Sequence, residues 1–364
     1  MIPFLSADFG NPSSKDHRYG WQAAEAVDHA REQIALLTGA KARQLTFTSG
    51  ATESINLALK GIAEAKAGKG DHIITCGTEH SAVLDTCNWL EQKGYRITRL
   101  DVDANGYLSL EQLEEVINTQ TICIALMYAN NETGVIHPVR QIGEIARKNN
   151  VPFFCDATQA VGKISLNVDE DNIDLMAFSS HKIYGPKGAG ALFIRQRDAG
   201  NISAQLHGGG HERGLRSGTL NTPAIAGFGK AAELCMEEMI AESKRLMQLR
   251  DKLERSLQEQ VRGVTVNGGN LRLPHVSNIL VPYEDTEQLL LSLSSHLAIS
   301  RGSACAGLVQ QPSHVLKAMG LTDAQAGRAL RISVGRFTTE QEIDEAVELL
   351  SQAINARHKA GSFI

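Results

Sequence analysis

Between residues 45 and 195 the sequence keeps returning to a short apolar run that reads as a strand. These runs are Leu45–Thr48, His72–Cys76, Arg96–Val102, Ile122–Tyr128, Pro152–Cys155 and Leu175–Phe178. Between most of them lie stretches with helical spacing, opening at Ala51, Glu79, Leu110 and Pro138. Strands alternating with helices predict an α/β fold built on a mostly parallel sheet with helices on both faces. Such a sheet gathers ligands outside the carboxyl ends of its strands. His80, Asn131, Asp156, Gln159 and Lys182 all fall at or just beyond strand ends, and Thr52 opens a helix after one. One polar residue at a strand end is a cap or a turn former. Several at one sheet edge make a candidate site.

Leu175–Arg195, LMAFSSHKIYGPKGAGALFIR, sharpens the point. An apolar strand ends in Ser179, Ser180, His181 and Lys182, a Gly/Pro-rich turn follows, and a second strand, Ala191–Arg195, leads away. Alone, Lys182 is more simply a surface lysine in a loop. In apolar surroundings its amine would become a nucleophile. Ser49-Gly50-Ala51-Thr52-Glu53 joins a strand to a helix start, where unpaired N–H groups and the helix dipole favour an anion, although an ordinary helix cap has the same sequence. GxxxxGK[ST], GxGxxG opening a helix, and HExxH are absent, so a Walker site, a dinucleotide site and a metal centre are not expected.

The helical pattern from Thr222 to Val261 predicts a long connecting helix into a smaller α+β domain. The expected division is 13–240 for the large domain, with 1–12 and 241–364 forming the small one. The small domain holds Cys305 in RGSACAG, among small residues and beside Arg301, a setting able to raise the thiolate fraction; an isolated cysteine is otherwise a core residue. Arg331, at the start of RISVGRFTT, suits bidentate carboxylate binding or a surface ion pair. A net charge of −5 with no basic stripe gives no support to nucleic-acid binding. No apolar run is long enough for a membrane helix, and the six cysteines form no CxxC pair, as expected of reduced thiols in the cytoplasm.

From FGNPSS to RFTTEQEID the chain resembles the pyridoxal-phosphate-dependent cysteine desulfurases of the class V, fold type I aminotransferases. The motifs TSGATES, TEHSAV, NNETGV, DATQ, SSHKIYGPKG, GGGHERGLRSGTL and RGSACAG carry the resemblance in this order. It implies pyridoxal 5'-phosphate as cofactor, attached covalently to Lys182. Ala51, Thr52, Ser179 and His181 would hold its phosphate, Asp156 its ring nitrogen and Gln159 its ring hydroxyl, and His80 would stack on the ring and shuttle protons. Asn131 and Arg331 would hold the substrate carboxylate, Asn131 also lying beside the cofactor. Thr219 would reach the phosphate of a partner subunit, making a homodimer with shared active sites. Lys182, His80 and Cys305 would be catalytic, taking sulfur from L-cysteine onto Cys305 and leaving alanine. The sulfur would pass to acceptor proteins for iron–sulfur clusters, thiolated tRNA or other products. A selenocysteine lyase, another class V enzyme and a non-catalytic sulfur-relay subunit are the alternatives. Three departures from the family pattern stand out: no segment of the type YLDNAATTP precedes FGNPSS, Arg301 stands where Ser is usual, and the sequence ends soon after the final helix pattern.

Overall fold

The computed structural model describes residues 1–195, 200–283, 286–301 and 312–361. The chain forms two compact units, and several segments change unit along the way. The first comprises Met1–Leu100, Ser109–Tyr128 and His137–Met239, and the second Asp101–Leu108, Ala129–Ile136 and Ile240–Ile364. Residues 1–12 therefore belong to the first unit and not, as expected, to the second. The physical reason lies at Gly227, where an added Cβ would sit 2.7 Å from Met1 Sδ, so the N-terminal residue packs there.

The first unit opens with α1 (Ile2–Ser6) and α2 (Arg18–Thr38), the latter capped by His17 Nδ1 accepting from the Gly20 amide and stopped by Gly39 at φ 70°. Then come β1 (Leu45–Thr48), α3 (Ala51–Ala65), β2 (His72–Cys76), α4 (Ser81–Glu91), β3 (Arg96–Leu100), α5 (Leu110–Val116), β4 (Thr121–Met127), α6 (Val139–Lys148), β5 (Phe153–Asp156), β6 (Leu175–Ser179) and β7 (Gly190–Ile194). The sheet runs in the order β1-β7-β6-β5-β4-β2-β3. Adjacent strands from β6 to β3 are parallel, while β7 is antiparallel to both its neighbours. Strands β5, β6 and β7 are buried along their whole length, so they carry apolar residues on both faces instead of alternating. One face packs on α3 and α4 through Ile55, Leu59, Ile62, Val83 and Leu90.

Helix α7 (Thr222–Gln260) begins in the first unit and ends in the second. The second unit then adds β8 (Thr265–Val266), β9 (Val276–Leu280), α8 (Thr286–Leu293), α9 (His314–Ala318), α10 (Asp323–Gly327), β10 (Ala329–Ser333) and α11 (Glu340–Gly361). Its antiparallel sheet has the order β10-β9-β8, and its core joins α7, α8 and α11 through Leu249, Leu253, Leu289, Val347 and Leu350. No helix among the described residues is long and apolar enough to cross a membrane.

Candidate active site

Register places the first part of the site. Thr48, Gly190 and Ser179 lie in one row across β1, β7 and β6, because both outer strands pair with Gly190. The turn leaving β1 and the turn leaving β6 therefore share one sheet edge. They approach closely: a Cβ on Gly190 would lie 2.5 Å from Gly50 Cα, and one on Gly50 would lie 3.6 Å from Ser179 Oγ. Gly50, at φ 155°, caps α3 with no side-chain hydrogen bond. The first-turn amides of Ala51 and Thr52 are thus uncapped by that side chain beside the Ser179 hydroxyl, a cradle for an anion. The His181 ring lies 2.8 Å, Nδ1 to Oγ, from Ser179. Burial, then the charges of Lys182 and Lys187, hold His181 below the usual imidazole range.

Glu53 lies in the same first helical turn, and its charge would oppose an anion. Its carboxylate accepts the Ser49 amide at 2.8 Å and is gripped by Arg216 at 2.7 and 3.2 Å. Burial alone would raise its pKa, but the bonds from Arg216 and Ser49 outweigh that and hold it below the ordinary value. The negative charge is thereby balanced within the cradle's wall.

Asp156 ends β5 and is buried. Thr158 donates its amide at 3.0 Å, and its hydroxyl, to the same carboxylate oxygen. Burial raises the Asp156 pKa, while the hydrogen bonds from Thr158, and then His80 and Lys182 nearby, offset part of the rise. His80 and Lys182 therefore lie within electrostatic reach of Asp156. His80 is the N-cap of α4, its Nδ1 accepting from the Ala82 amide at 3.1 Å, so Nε2 carries the proton of the neutral ring. Lys182 stands on the single turn Ser180–Ile183 that follows β6 and is exposed. Gln159 is half-buried in the turn beyond Asp156.

A second acid backs the first. Glu79 is 1% exposed and accepts the Met127 amide at 2.7 Å, and Met127 pairs with Asp156 in the sheet. Burial, followed by repulsion from Asp156, lifts the Glu79 pKa well above the carboxylate range. Lys182 and His80 offset part of the rise at Asp156, which sets the two acids apart.

Thr219 is exposed in the glycine-rich segment after β7. Side chains fix that segment to the free edge of β1. Glu212 accepts the Phe47 amide at 2.7 Å and pairs with Arg31 through both oxygens at 2.8 and 2.9 Å. Arg31 and Arg213 donate to the Leu45 carbonyl. Glu212 and Arg213 adopt φ 49° and 58°, so this anchoring holds two non-glycine residues in the left-handed region. His211 accepts the Gly218 amide at 3.2 Å.

Asn131 and Arg331 belong to the second unit, where Arg331 Nη1 donates to the Asn131 carbonyl at 3.2 Å. Cys305 lies outside the described residues. Sequence reasoning missed Glu79, Arg216 and Glu212. Glu79 adjoins His80 in TEHSAV, a usable signal. The partners of Arg216 and Glu212 are far away in sequence, and no local pattern marks them.

The donor set fits a group carrying a phosphate and a protonated ring nitrogen. The uncapped α3 terminus and Ser179 suit the first, and a buried acid flanked by a lysine suits the second. Comparison with known proteins agrees on the kind of chain. The family model described as "Aminotransferase class-V" matches residues 1–346. A cysteine desulfurase IscS of Anaeromyxobacter sp. is 47% identical over 355 residues, covering 97% of this chain and 88% of that protein. A solved NifS-like protein superposes with a TM-score of 0.89 at 36% identity, covering 97% of this chain and 94% of the other. SspA in complex with cysteine gives a TM-score of 0.83 at 38% identity, covering 93% and 94%.

Proposed function

Since this chain belongs to the aminotransferase class-V family, we propose that it is a pyridoxal-phosphate-dependent cysteine desulfurase that works in the cytoplasm as a homodimer. One observation carries the reading: the neighbouring parallel strands β5 and β6 deliver buried Asp156 and the turn bearing Lys182 to the sheet edge where the α3 terminus and Ser179 make an anion cradle. Similarity to proteins named as cysteine desulfurases supports L-cysteine as the substrate.

In this reading Ala51, Thr52, Ser179 and His181 hold the cofactor's phosphate, and Asp156 holds its ring nitrogen. Gln159 and Asn131 complete its surroundings, and Thr219 contributes from a second copy. Bound there, pyridoxal phosphate supplies a sink for the electrons released at the substrate's Cα. Lys182 Nζ anchors the cofactor and, once released, takes the Cα proton. His80, whose Nδ1 accepts the Ala82 amide and so leaves Nε2 to carry the proton, shuttles protons beside the ring. Arg331 and Asn131 orient the substrate's carboxylate. The Cys305 thiolate attacks the substrate sulfur, an S–S bond forms, and the C–S electron pair returns to carbon. Protonation of that carbon, Cβ, and return of a proton to Cα yield alanine, and Cys305 keeps the persulfide for an acceptor protein.

The test is to incubate the purified protein with L-cysteine and pyridoxal phosphate and to quantify alanine. Wild type should form alanine, while Lys182→Ala and Cys305→Ser should form none. Normal turnover by Cys305→Ser would point to a lyase that does not use this thiol, and no alanine from wild type would sink the proposal.

A further inference from the structure

The second unit ties together two parts of the chain that the proposed reaction needs in register. The loop Asn130–Gly134 carries Asn131, and the segment between Ser300 and Ser313 carries Cys305 in sequence. Asn130 shapes the loop, its side-chain oxygen accepting the amides of Glu132 and Thr133 at 2.8 and 3.0 Å. From there the loop is held at consecutive residues. The Asn131 carbonyl accepts from Arg331, and the Glu132 carbonyl accepts from Asn278, which stands opposite Arg331 in the β9–β10 pair.

Both stems of the Cys305 segment lead to the same place. On the N-terminal side, Ser300 and Arg331 exchange backbone hydrogen bonds of 3.2 and 2.6 Å. On the C-terminal side, Ser313 Oγ donates to the Glu132 carboxylate at 2.6 Å while it also accepts the Leu316 amide as the N-cap of α9. The Arg301–Glu287 pair adds an N···O distance of 3.5 Å on the first side, with Glu287 largely exposed, so it contributes little. Glu132 differs from it: the residue is 1% exposed, and its bond to Ser313 is short and charge-assisted.

We infer that Glu132 is a positioning residue: it fastens the Asn131 loop to the Ser313 stem, while Arg331 fastens it to Ser300. The groups assigned to the substrate's carboxylate and the two described stems, Ser300 and Ser313, that flank the thiol in sequence are thus set against one frame. This inference rests on the desulfurase reading for its chemistry, but the tie itself is a property of the second unit. Glu132 touches neither substrate nor cofactor in this account, so its effect should fall on the sulfur-transfer step and not on cofactor binding.

The experiment compares Glu132→Ala, Glu132→Gln and Ser313→Ala in the full-length cofactor-loaded protein. Alanine formation, cofactor absorbance, and the rate at which iodoacetamide labels Cys305, mapped by mass spectrometry, are read for each. Loss of one charge-assisted bond should lower kcat about tenfold in Glu132→Ala, with KM changed by less than about twofold. Cofactor absorbance should be unchanged and Cys305 labelling altered. Glu132→Gln keeps an acceptor for Ser313 Oγ and should restore both readouts. Ser313→Ala removes the same bond from the other side, so the double variant should be no worse than the weaker single one. Ser313→Ala also covers the case of a poorly folded Glu132→Ala.

Wild-type kcat and labelling in both alanine variants would overturn the inference. So would cofactor loss that accounts for the whole defect, or a glutamine variant as impaired as the alanine one. If wild type forms no alanine, the desulfurase reading fails by itself, and Cys305 labelling still decides whether Glu132 holds the stem.

Discussion

Replacing Glu212 with alanine removes the partner of Arg31 from a site where the acid's side chain is 2% exposed and the guanidinium 10%. It also strands the Phe47 amide, whose hydrogen bond to Glu212 is 2.7 Å. Breaking a buried ion pair from one side costs about 3–5 kcal/mol, because the remaining charge stays buried without compensation. Arg31 keeps its bond to the Leu45 carbonyl and its place over the Phe47 ring, 4.4 Å from the centroid, which puts the expected loss toward the lower end of that range. The assay is urea unfolding followed by tryptophan fluorescence. Both tryptophans, Trp21 and Trp89, lie in the first unit, so the signal reports the unit that holds Glu212. A second variant, Glu212→Ala with Arg31→Met, should recover part of the loss and show a coupling above ~0.5 kcal/mol. A cost below about 1 kcal/mol for the single change, or simple additivity in the double one, would refute the claim that this pair holds the glycine-rich segment to β1.

Two further perturbations test the cradle. Glu53 is held below its ordinary value of 4.5, so its contribution to stability is complete above that pH and is lost as the pH falls through the lowered folded value. Tm measured against pH should therefore show an acid limb that Glu53→Gln flattens, and an unchanged limb would mean that Arg216 does not stabilise the charge. Gly190→Ala would press a methyl group against backbone atoms of Gly50 and Phe178, costing roughly 1–3 kcal/mol. Its Tm and its affinity for pyridoxal phosphate should both fall, and wild-type values for both would show that the close approach of the two turns is not required.

The alternating pattern was legible because strands such as Leu175–Ser179, buried on both faces, leave unbroken apolar runs in the sequence. The polar residues that follow these runs, Asp156 and Ser179 through Lys182, were legible for the same reason: topology alone fixes which end of a parallel strand they occupy. Direction was harder. Ala191–Arg195 reads as one more strand, and only pairing reveals that β7 runs against its neighbours. Very short elements such as β8 and α10 lack the length for any period to appear. Residues 101–108 and 129–136 belong to the second unit although they are embedded in the α/β pattern, since membership depends on contacts far along the chain. The Arg31–Glu212 pair, 181 residues apart, was hidden for the same reason, and its acid lies in a run whose glycines promise only irregularity.

Strand β1 ends the large sheet, and one side of an edge strand normally offers bare amides and carbonyls to any extended chain that meets it. Here that side is already taken, its Phe47 amide by a carboxylate and its Leu45 carbonyl by two guanidinium groups. A foreign strand would have to displace buried charges before it could pair. The cluster that holds the glycine-rich segment in place therefore also guards the molecule against growing sheet-to-sheet, and losing it should appear in storage and expression as aggregation before it appears in catalysis.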